Sequence, residues 1–267
     1  MGQVTAFVQS VLRDGPIIGY DSYLKYRLRP ALGNHALMQV TVNGQKIWVR
    51  PGTPDLRVAF QSLRAEFDIL SGLLPEDFAG LIVDAGGYIG TAALKLAKMY
   101  PAATVVTIEA SSRNYAVLQR NVAGVANIVP INAALHAEAG LSFDLVDRGT
   151  GAWGFSIAAR SGSGSTIESV STITLREISQ RFGGLPIGIL KMDIEGGEHV
   201  LFSTPDETLE ATEAVFAELH DRIVPGCTEL FSAFSHDRWL LNAGGEKFLS
   251  LRRAPSPAMP PLAPAKA

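Results

Sequence analysis

The sequence predicts an α/β fold of the Rossmann-like kind, a mostly parallel, doubly wound sheet preceded by an N-terminal helix and hairpin cap. Three observations predict it. From Gly80 onward, apolar strand-like runs alternate with helical segments, the pattern of a parallel sheet with helices on both faces. The run Leu81-Ile-Val-Asp-Ala-Gly-Gly-Tyr-Ile-Gly90 carries an apolar strand into a carboxylate and then through a glycine turn into a helix. Charged residues also end the later strand candidates, at Glu109, Asp193 and the Glu218/His220 pair. Ligands of open α/β sheets sit outside the carboxyl ends of the strands, so these residues are expected to converge on one crevice.

At 267 residues the chain can build one large α/β domain with a full core. A net charge of -3 without a basic tract gives no reason to expect a nucleic-acid partner. No apolar stretch approaches the roughly 20 residues that span a bilayer, so no membrane partner is expected. The single cysteine, Cys227, excludes an internal disulfide framework and fits a reducing compartment. Polar residues at Gln3, Gln9 and Arg13 interrupt the start of the chain where a signal peptide needs an apolar core. The expected location is the cytoplasm, and oligomeric state carries no signal in the sequence.

Residues 1 to 75 read as the cap. Helical sequence breaks at Gly15-Pro16, the stretch Leu37 to Arg50 alternates around Asn43-Gly44, and a helix starts at Asp55 with Leu56, Phe60, Leu63, Phe67 and Leu70 on one face. Residues 76 to 253 form the cofactor-binding domain. Its strands are expected at Leu81–Asp84, Ala103–Glu109, Asn127–Ile131, Ile187–Asp193 and Ala214–His220. Its helices are expected at Gly90–Met99, Ser111–Val122, Thr174–Phe182, Gly197–Ser203 and Pro225–Asn242. An insertion with strands at Leu141–Asp147 and Thr166–Ile173 flanks a Gly/Ser-rich loop, Arg148 to Ser165, a candidate substrate lid. After Phe248–Arg252 no further strand is evident, which suggests an abbreviated sheet edge. Residues 254 to 267 are a Pro/Ala tail without core-forming residues.

The glycine turn selects among cofactors. A dinucleotide site reads Gly-x-Gly-x-x-Gly, but Tyr88 occupies the second glycine position, and Asp84 precedes Gly86 and Gly90. A carboxylate there suits a cationic, phosphate-free cofactor better than a pyrophosphate. S-adenosylmethionine has a sulfonium, an amino group and no phosphate. Glu109, ending the second strand, is placed to accept hydrogen bonds from ribose hydroxyls. Candidate cofactor contacts are therefore Asp84, Gly86, Gly87, Tyr88, Gly90 and Glu109, with Ala110, Ser111, Asn132 and Ala133 following the second and third strands. The competing reading is a nicotinamide-dependent oxidoreductase or epimerase, which predicts a Tyr-x-x-x-Lys pair that the catalytic half lacks. A non-catalytic binding protein on the same fold is a third reading.

The stretch Leu190-Lys-Met-Asp-Ile-Glu-Gly-Gly-Glu198, with Arg50-Pro-Gly-Thr-Pro-Asp55, Val83-Asp-Ala-Gly-Gly-Tyr-Ile-Gly90 and Ala217-Glu-Leu-His220, resembles the FkbM family of S-adenosylmethionine-dependent methyltransferases. The resemblance covers residues 47 to 250. It implies a class I methyltransferase fold and methylation of a hydroxyl on a small acceptor, a sugar or glycan unit or a secondary metabolite. Tyr88 departs from the family pattern, where Asn is common, and Ala110 stands where a Pro often follows the ribose-binding Glu.

Methyl transfer to an alcohol needs alignment and removal of a proton. His220, titrating near neutrality at a strand end, is the first candidate base. Asp193 is the second, or orients His220, and Glu195 completes the candidate catalytic set. Asp193, His220 and a nearby acid could hold Mg²⁺. The sequence lacks the paired Asp-Asp or Asp-Asn of known metal-dependent relatives, so no metal ligands are assigned. Tyr23, Tyr26, Trp153 and Phe155 are aromatic candidates for an acceptor pocket.

Overall fold

Asn43 and Gly44 both take positive φ (50° and 77°), so the chain reverses in two residues and strand β1 (Met38–Val42) pairs antiparallel with β2 (Gln45–Val49). The computed structural model describes residues 9–12, 15–16, 18–147, 155–156 and 165–253. A helix, Tyr20–Leu28, precedes this hairpin, and the helix Asp55–Leu63 follows it, burying Leu56, Ala59 and Leu63. Tyr23 and Tyr26 are core residues. The Tyr26 hydroxyl donates to the Thr53 carbonyl, so neither tyrosine is available to an acceptor pocket.

The main sheet comprises β3 (Leu81–Ala85), β4 (Thr104–Glu109) and β5 (Ile128–Asn132), then, after an insertion, β10 (Ile187–Met192), β11 (Ala214–Glu218), β12 (Trp239–Gly244) and β13 (Lys247–Leu251). The insertion contributes β6 (Ala134–Leu135), β7 (Ser142–Asp147), β8 (Phe155–Ser156) and β9 (Ser165–Ile173), a separate four-stranded sheet. Strand order in the main sheet is β12-β13-β11-β10-β3-β4-β5. The five strands from β11 to the edge strand β5 run parallel, and β13 runs antiparallel to both its neighbours. The order reverses between β3 and β10, which opens a crevice at their carboxyl ends. This is the topology of a class I methyltransferase, as expected.

Both faces of the inner strands β3, β4, β10 and β11 are covered, so these strands are apolar on both sides. Ile82, Val105, Ile189 and Phe216 enter one layer, and Val83, Val106, Leu190 and Val215 enter the other. The first layer also contains Val40, Ile47, Leu56 and Phe67, so the N-terminal section packs into the same core as the sheet. In the second layer Phe231 stacks within 4.9 Å of Phe202 and 6.3 Å of Phe248.

The last third differs from expectation. The helix expected over Pro225–Asn242 spans Cys227–Phe234, and Trp239–Gly244 is the edge strand of the sheet. It forms a hairpin with β13, so the sheet edge is complete and not abbreviated. A short helix, Glu207–Ala211, was not anticipated. Of the loop Arg148 to Ser165 only Phe155, Ser156 and Ser165 are described. The expected lid, Trp153 and the Pro/Ala tail therefore lie outside the described residues. Among the described residues no helix is long and apolar enough to cross a membrane.

Candidate active site

At the carboxyl ends of β3, β4, β10 and β11 lies a cavity of about 420 Å³, a size suited to a small-molecule ligand. Its walls include Gly87, Tyr88 and Glu109 at one end and Asp193, Glu195 and Lys247 at the other.

The glycine turn is packed against its neighbours on every side. Gly86 (φ 78°) approaches β10 so closely that a Cβ would lie 1.8 Å from the Asp193 carbonyl oxygen. Its amide and that of Gly87 both donate to the Ile108 carbonyl (3.0 and 2.8 Å). Gly90 does not reach the cavity. It starts the helix Thr91–Met99, and a Cβ there would meet Val122 at 3.0 Å and Leu118 at 3.2 Å, so its role is close helix packing.

Asp84, the expected partner of the cofactor's cation, is fully buried beneath the turn and is not on the cavity wall. The register of β3 and β10 sets Lys191 beside it. The Lys191 ammonium lies 3.0 Å from Asp84 Oδ1, and Thr107 Oγ1 donates to Oδ2 at 2.9 Å. Burial works against the ammonium, but the Asp84 charge outweighs it and holds the Lys191 pKa above its ordinary value. Lys191 also donates to the Gly86 carbonyl (2.9 Å), so the ion pair fastens the turn to the sheet.

Glu109 does face the cavity. Its Oε2 accepts from the Tyr88 amide (2.8 Å), and its Oε1 accepts from the Ser111 amide (2.9 Å) and Asn114 Nδ2 (3.2 Å). Burial pushes its pKa up to about 7, with those hydrogen bonds and Lys191 acting in the opposite direction. Ala110 and Ala133 line the wall beside it. Ser111 is buried as the N-cap of the helix Ser112–Val122, and Asn132 ties the Glu109 and Ala110 carbonyls (2.8 and 3.1 Å). Both support the site from behind.

Sequence reasoning gave no site role to Arg50, Asp55 or Asn114, which hold Glu109 and Tyr88 in place. Asp55 is fully buried and receives both ends of the Arg50 guanidinium, Nε at 2.9 Å and Nη2 at 2.8 Å. Tyr88 donates its hydroxyl to Asp55 Oδ1 (2.5 Å), and burial together with the Asp55 charge raises its pKa, so it remains a donor. Arg50 Nη1 donates to Asn114 Oδ1 (2.9 Å). The chain of bonds Asp55–Arg50–Asn114–Glu109–Tyr88 thus closes on itself and links the N-terminal section to the cofactor turn. Tyr88, at φ 50°, is held in a backbone region that a bulky residue rarely adopts.

At the far end, His220 is buried, with Nδ1 2.9 Å from Glu198 Oε1. Glu198 also accepts from the Ile194 and Gly196 amides (3.0 and 2.8 Å). His220 Nε2 lies 3.6 Å from Asp193 Oδ1 and 3.9 Å from Glu195 Oε1. The three candidate catalytic residues therefore meet. Burial lowers the imidazole pKa, but the hydrogen bond to Glu198 and the charges of Glu198, Asp193 and Glu195 raise it more, to about 9. The surrounding carboxylates thus favour the protonated imidazole at neutral pH. Burial pushes Glu195 up to about 6. Arg222 Nη2 holds Glu195 Oε2 at 3.3 Å, and Lys247 bridges Glu66 and Glu218.

A sheet of this order, with a cavity at its switch point between a buried glutamate and an acid–histidine cluster, defines a class I methyltransferase. Residues 84–245 match the family model described as the methyltransferase FkbM domain. The chain belongs to that family of S-adenosylmethionine-dependent methyltransferases. No curated protein sequence matches it. The solved structures it is similar to include three archaeal proteins. They are TYW2 of M. jannaschii in complex with AdoMet (12% identity, 82% of this chain and 85% of that one, TM-score 0.40), fibrillarin of Aeropyrum pernix with natively bound S-adenosyl-L-methionine (11%, 81% and 83%, 0.40), and the Methanococcus jannaschii fibrillarin pre-rRNA processing protein (11%, 82% and 83%, 0.43).

Proposed function

We propose that the protein is an O-methyltransferase that binds S-adenosylmethionine at the Glu109 end of the cavity and methylates a hydroxyl of a small acceptor at the Asp193 end. The acceptor class is a sugar or glycan unit or a secondary metabolite. The observation that carries this reading is the continuity of one cavity from Glu109 to the Asp193–Glu195–His220 cluster. The donor fits the residues present. Glu109 offers a buried carboxylate for the ribose hydroxyls, and the backbone of Gly86 and Gly87 lines the cavity beside it. Bound there, the donor supplies an activated methyl group.

The chain's own residues then orient the acceptor and receive its proton. Asp193 is the best placed, because its carboxylate is 39% exposed on the cavity wall while His220 is enclosed behind it. The acceptor oxygen would take the donor's methyl group, and the pair of the broken carbon–sulfur bond would stay with the donor. The hydroxyl proton passes to Asp193, and the His220 imidazolium steadies that carboxylate. Acidic and basic side chains around the acceptor end (Glu66, Lys247, Glu218, Arg222) suit a polyhydroxylated molecule better than an apolar ring.

Assay of methyl transfer to a panel of hydroxylated acceptors tests this reading. Asp193→Asn is expected to lower kcat about 100-fold or more while S-adenosylhomocysteine binds as before. Full turnover by the variant, or a product methylated on nitrogen, contradicts it.

A further inference from the structure

We propose that Asp193, Glu195 and His220 form a binding site for one hard divalent cation, Mg²⁺ or Mn²⁺, at the acceptor end of the cavity. The proposal rests on the O-methyltransferase reading for its chemical purpose, but the geometry stands on its own.

Asp193, Glu195 and His220 each offer one ligand atom, and those three atoms lie within 4.8 Å of one another. Around an ion with bonds of about 2.1–2.3 Å, adjacent ligand atoms are about 3 Å apart and opposite ones about 4.4 Å. The separations of 3.6 Å from His220 to Asp193 and 3.9 Å from His220 to Glu195 fall between these limits. A single ion could therefore reach all three atoms with little movement. Those same distances are too long for hydrogen bonds. The Nε2 of a side chain only 1% exposed thus faces two carboxylates at ion-pair distance without hydrogen-bonding either.

The surroundings complete the pattern of a metal-binding histidine. Glu198 is fully buried and fixes the ring through Nδ1, while two backbone amides hold Glu198 itself. With the Nδ1 proton shared with Glu198, a cation between the acids would displace the proton from Nε2 and take its lone pair, the carboxylate–histidine–metal arrangement. Arg222 engages Glu195 through Oε2, the oxygen turned away from His220. Two carboxylates and one imidazole with open positions toward a cavity suit Mg²⁺ or Mn²⁺ better than a softer metal. Glu218 and Glu246 form a second possible set with His220. They are opposed by Lys247, 3.6 Å from Glu218, and Arg222, 3.5 Å from Glu246, which makes that set the poorer one. A cation at the first set would bind an acceptor hydroxyl and lower its pKa, so that the proton leaves more readily before the oxygen attacks the methyl group.

Mn²⁺ alone, titrated into the full chain and followed by electron paramagnetic resonance of the free ion, tests the site without turnover. One Mn²⁺ per chain is expected. Asp193→Asn and Glu195→Gln should each weaken binding at least tenfold, and Glu198→Gln, acting through His220, by about 10–100-fold. S-adenosylhomocysteine binding, measured on the same samples, reports that the variants are folded. No Mn²⁺ binding at millimolar concentration by protein that binds S-adenosylhomocysteine overturns the metal site and leaves the methyltransferase reading intact. Mn²⁺ binding that survives Asp193→Asn and Glu195→Gln but is lost in Glu246→Gln also overturns it, in favour of the second set. Wild-type protein that binds Mn²⁺ but not S-adenosylhomocysteine supports the metal site and counts against the methyl-donor reading.

Discussion

Lys191→Met should be among the most destabilising single changes in this protein, by about 3–5 kcal/mol in denaturant unfolding. The substitution keeps most of the side chain's volume and removes the ammonium with its charge and hydrogen bonds. Asp84, fully buried and 3.0 Å from the ammonium, is then left as a carboxylate with Thr107 as its one remaining side-chain donor. Breaking one side of a buried pair costs far more than removing the pair, because the orphaned charge keeps its full desolvation penalty. The double variant Asp84→Asn/Lys191→Met should therefore recover most of the loss. Equal instability of the single and double variants would show that Lys191 acts through its bonds to the Gly86 and Ala85 carbonyls and not through Asp84.

Asp55→Ala should cost about 3 kcal/mol and also weaken S-adenosylhomocysteine binding, although Asp55 is not on the cavity wall. Its carboxylate holds the Arg50 guanidinium through two nitrogens and receives the Tyr88 hydroxyl. Arg50 is 18% exposed, so water screens part of the charge left behind, and the expected cost is placed below that of Lys191→Met. Without Asp55 the Tyr88 turn loses its anchor, and Arg50 loses the orientation with which it holds Asn114 against Glu109. Calorimetry would separate the effects. A lowered melting temperature with unchanged ligand affinity would confine Asp55 to stability.

The strands of the parallel sheet were legible to within about two residues because both their faces are buried, which makes them apolar runs ending in a charge. The edge hairpin was not. Trp239, Leu240 and Leu241 are exposed at 61%, 42% and 44%, so β12 shows no alternation, and its sequence continues the apolar pattern of the preceding helix. The readable signal was the Gly244-Gly245 pair (φ 104° and 62°) at the turn between β12 and β13. Within the site, the convergence of Asp193, Glu195 and His220 followed from strand ends alone. The pairing of Asp84 with Lys191 was not legible, because a carboxylate after an apolar strand looks the same whether it meets a ligand or a lysine 107 positions later. Only the β3–β10 register distinguishes them. The bonds joining Arg50 and Asp55 to Glu109 were beyond sequence reasoning for a related reason. They cross 33 to 64 positions and depend on how the hairpin seats on the sheet.

Isothermal titration of S-adenosylhomocysteine at two pH values tests the central claim, that Glu109 receives the methyl donor's ribose. Glu109 in the free protein has its pKa raised to about 7, and ribose hydroxyls donate to the ionised carboxylate. Binding must therefore strengthen as pH rises through 7 and weaken as it falls below. Between pH 8 and pH 6 the affinity of the wild-type chain should drop roughly tenfold, as the ionised fraction does. Glu109→Gln should bind weakly at both values with no such dependence. Absence of binding by the folded wild-type chain, or equal affinity and equal pH dependence in Glu109→Gln, would contradict the account.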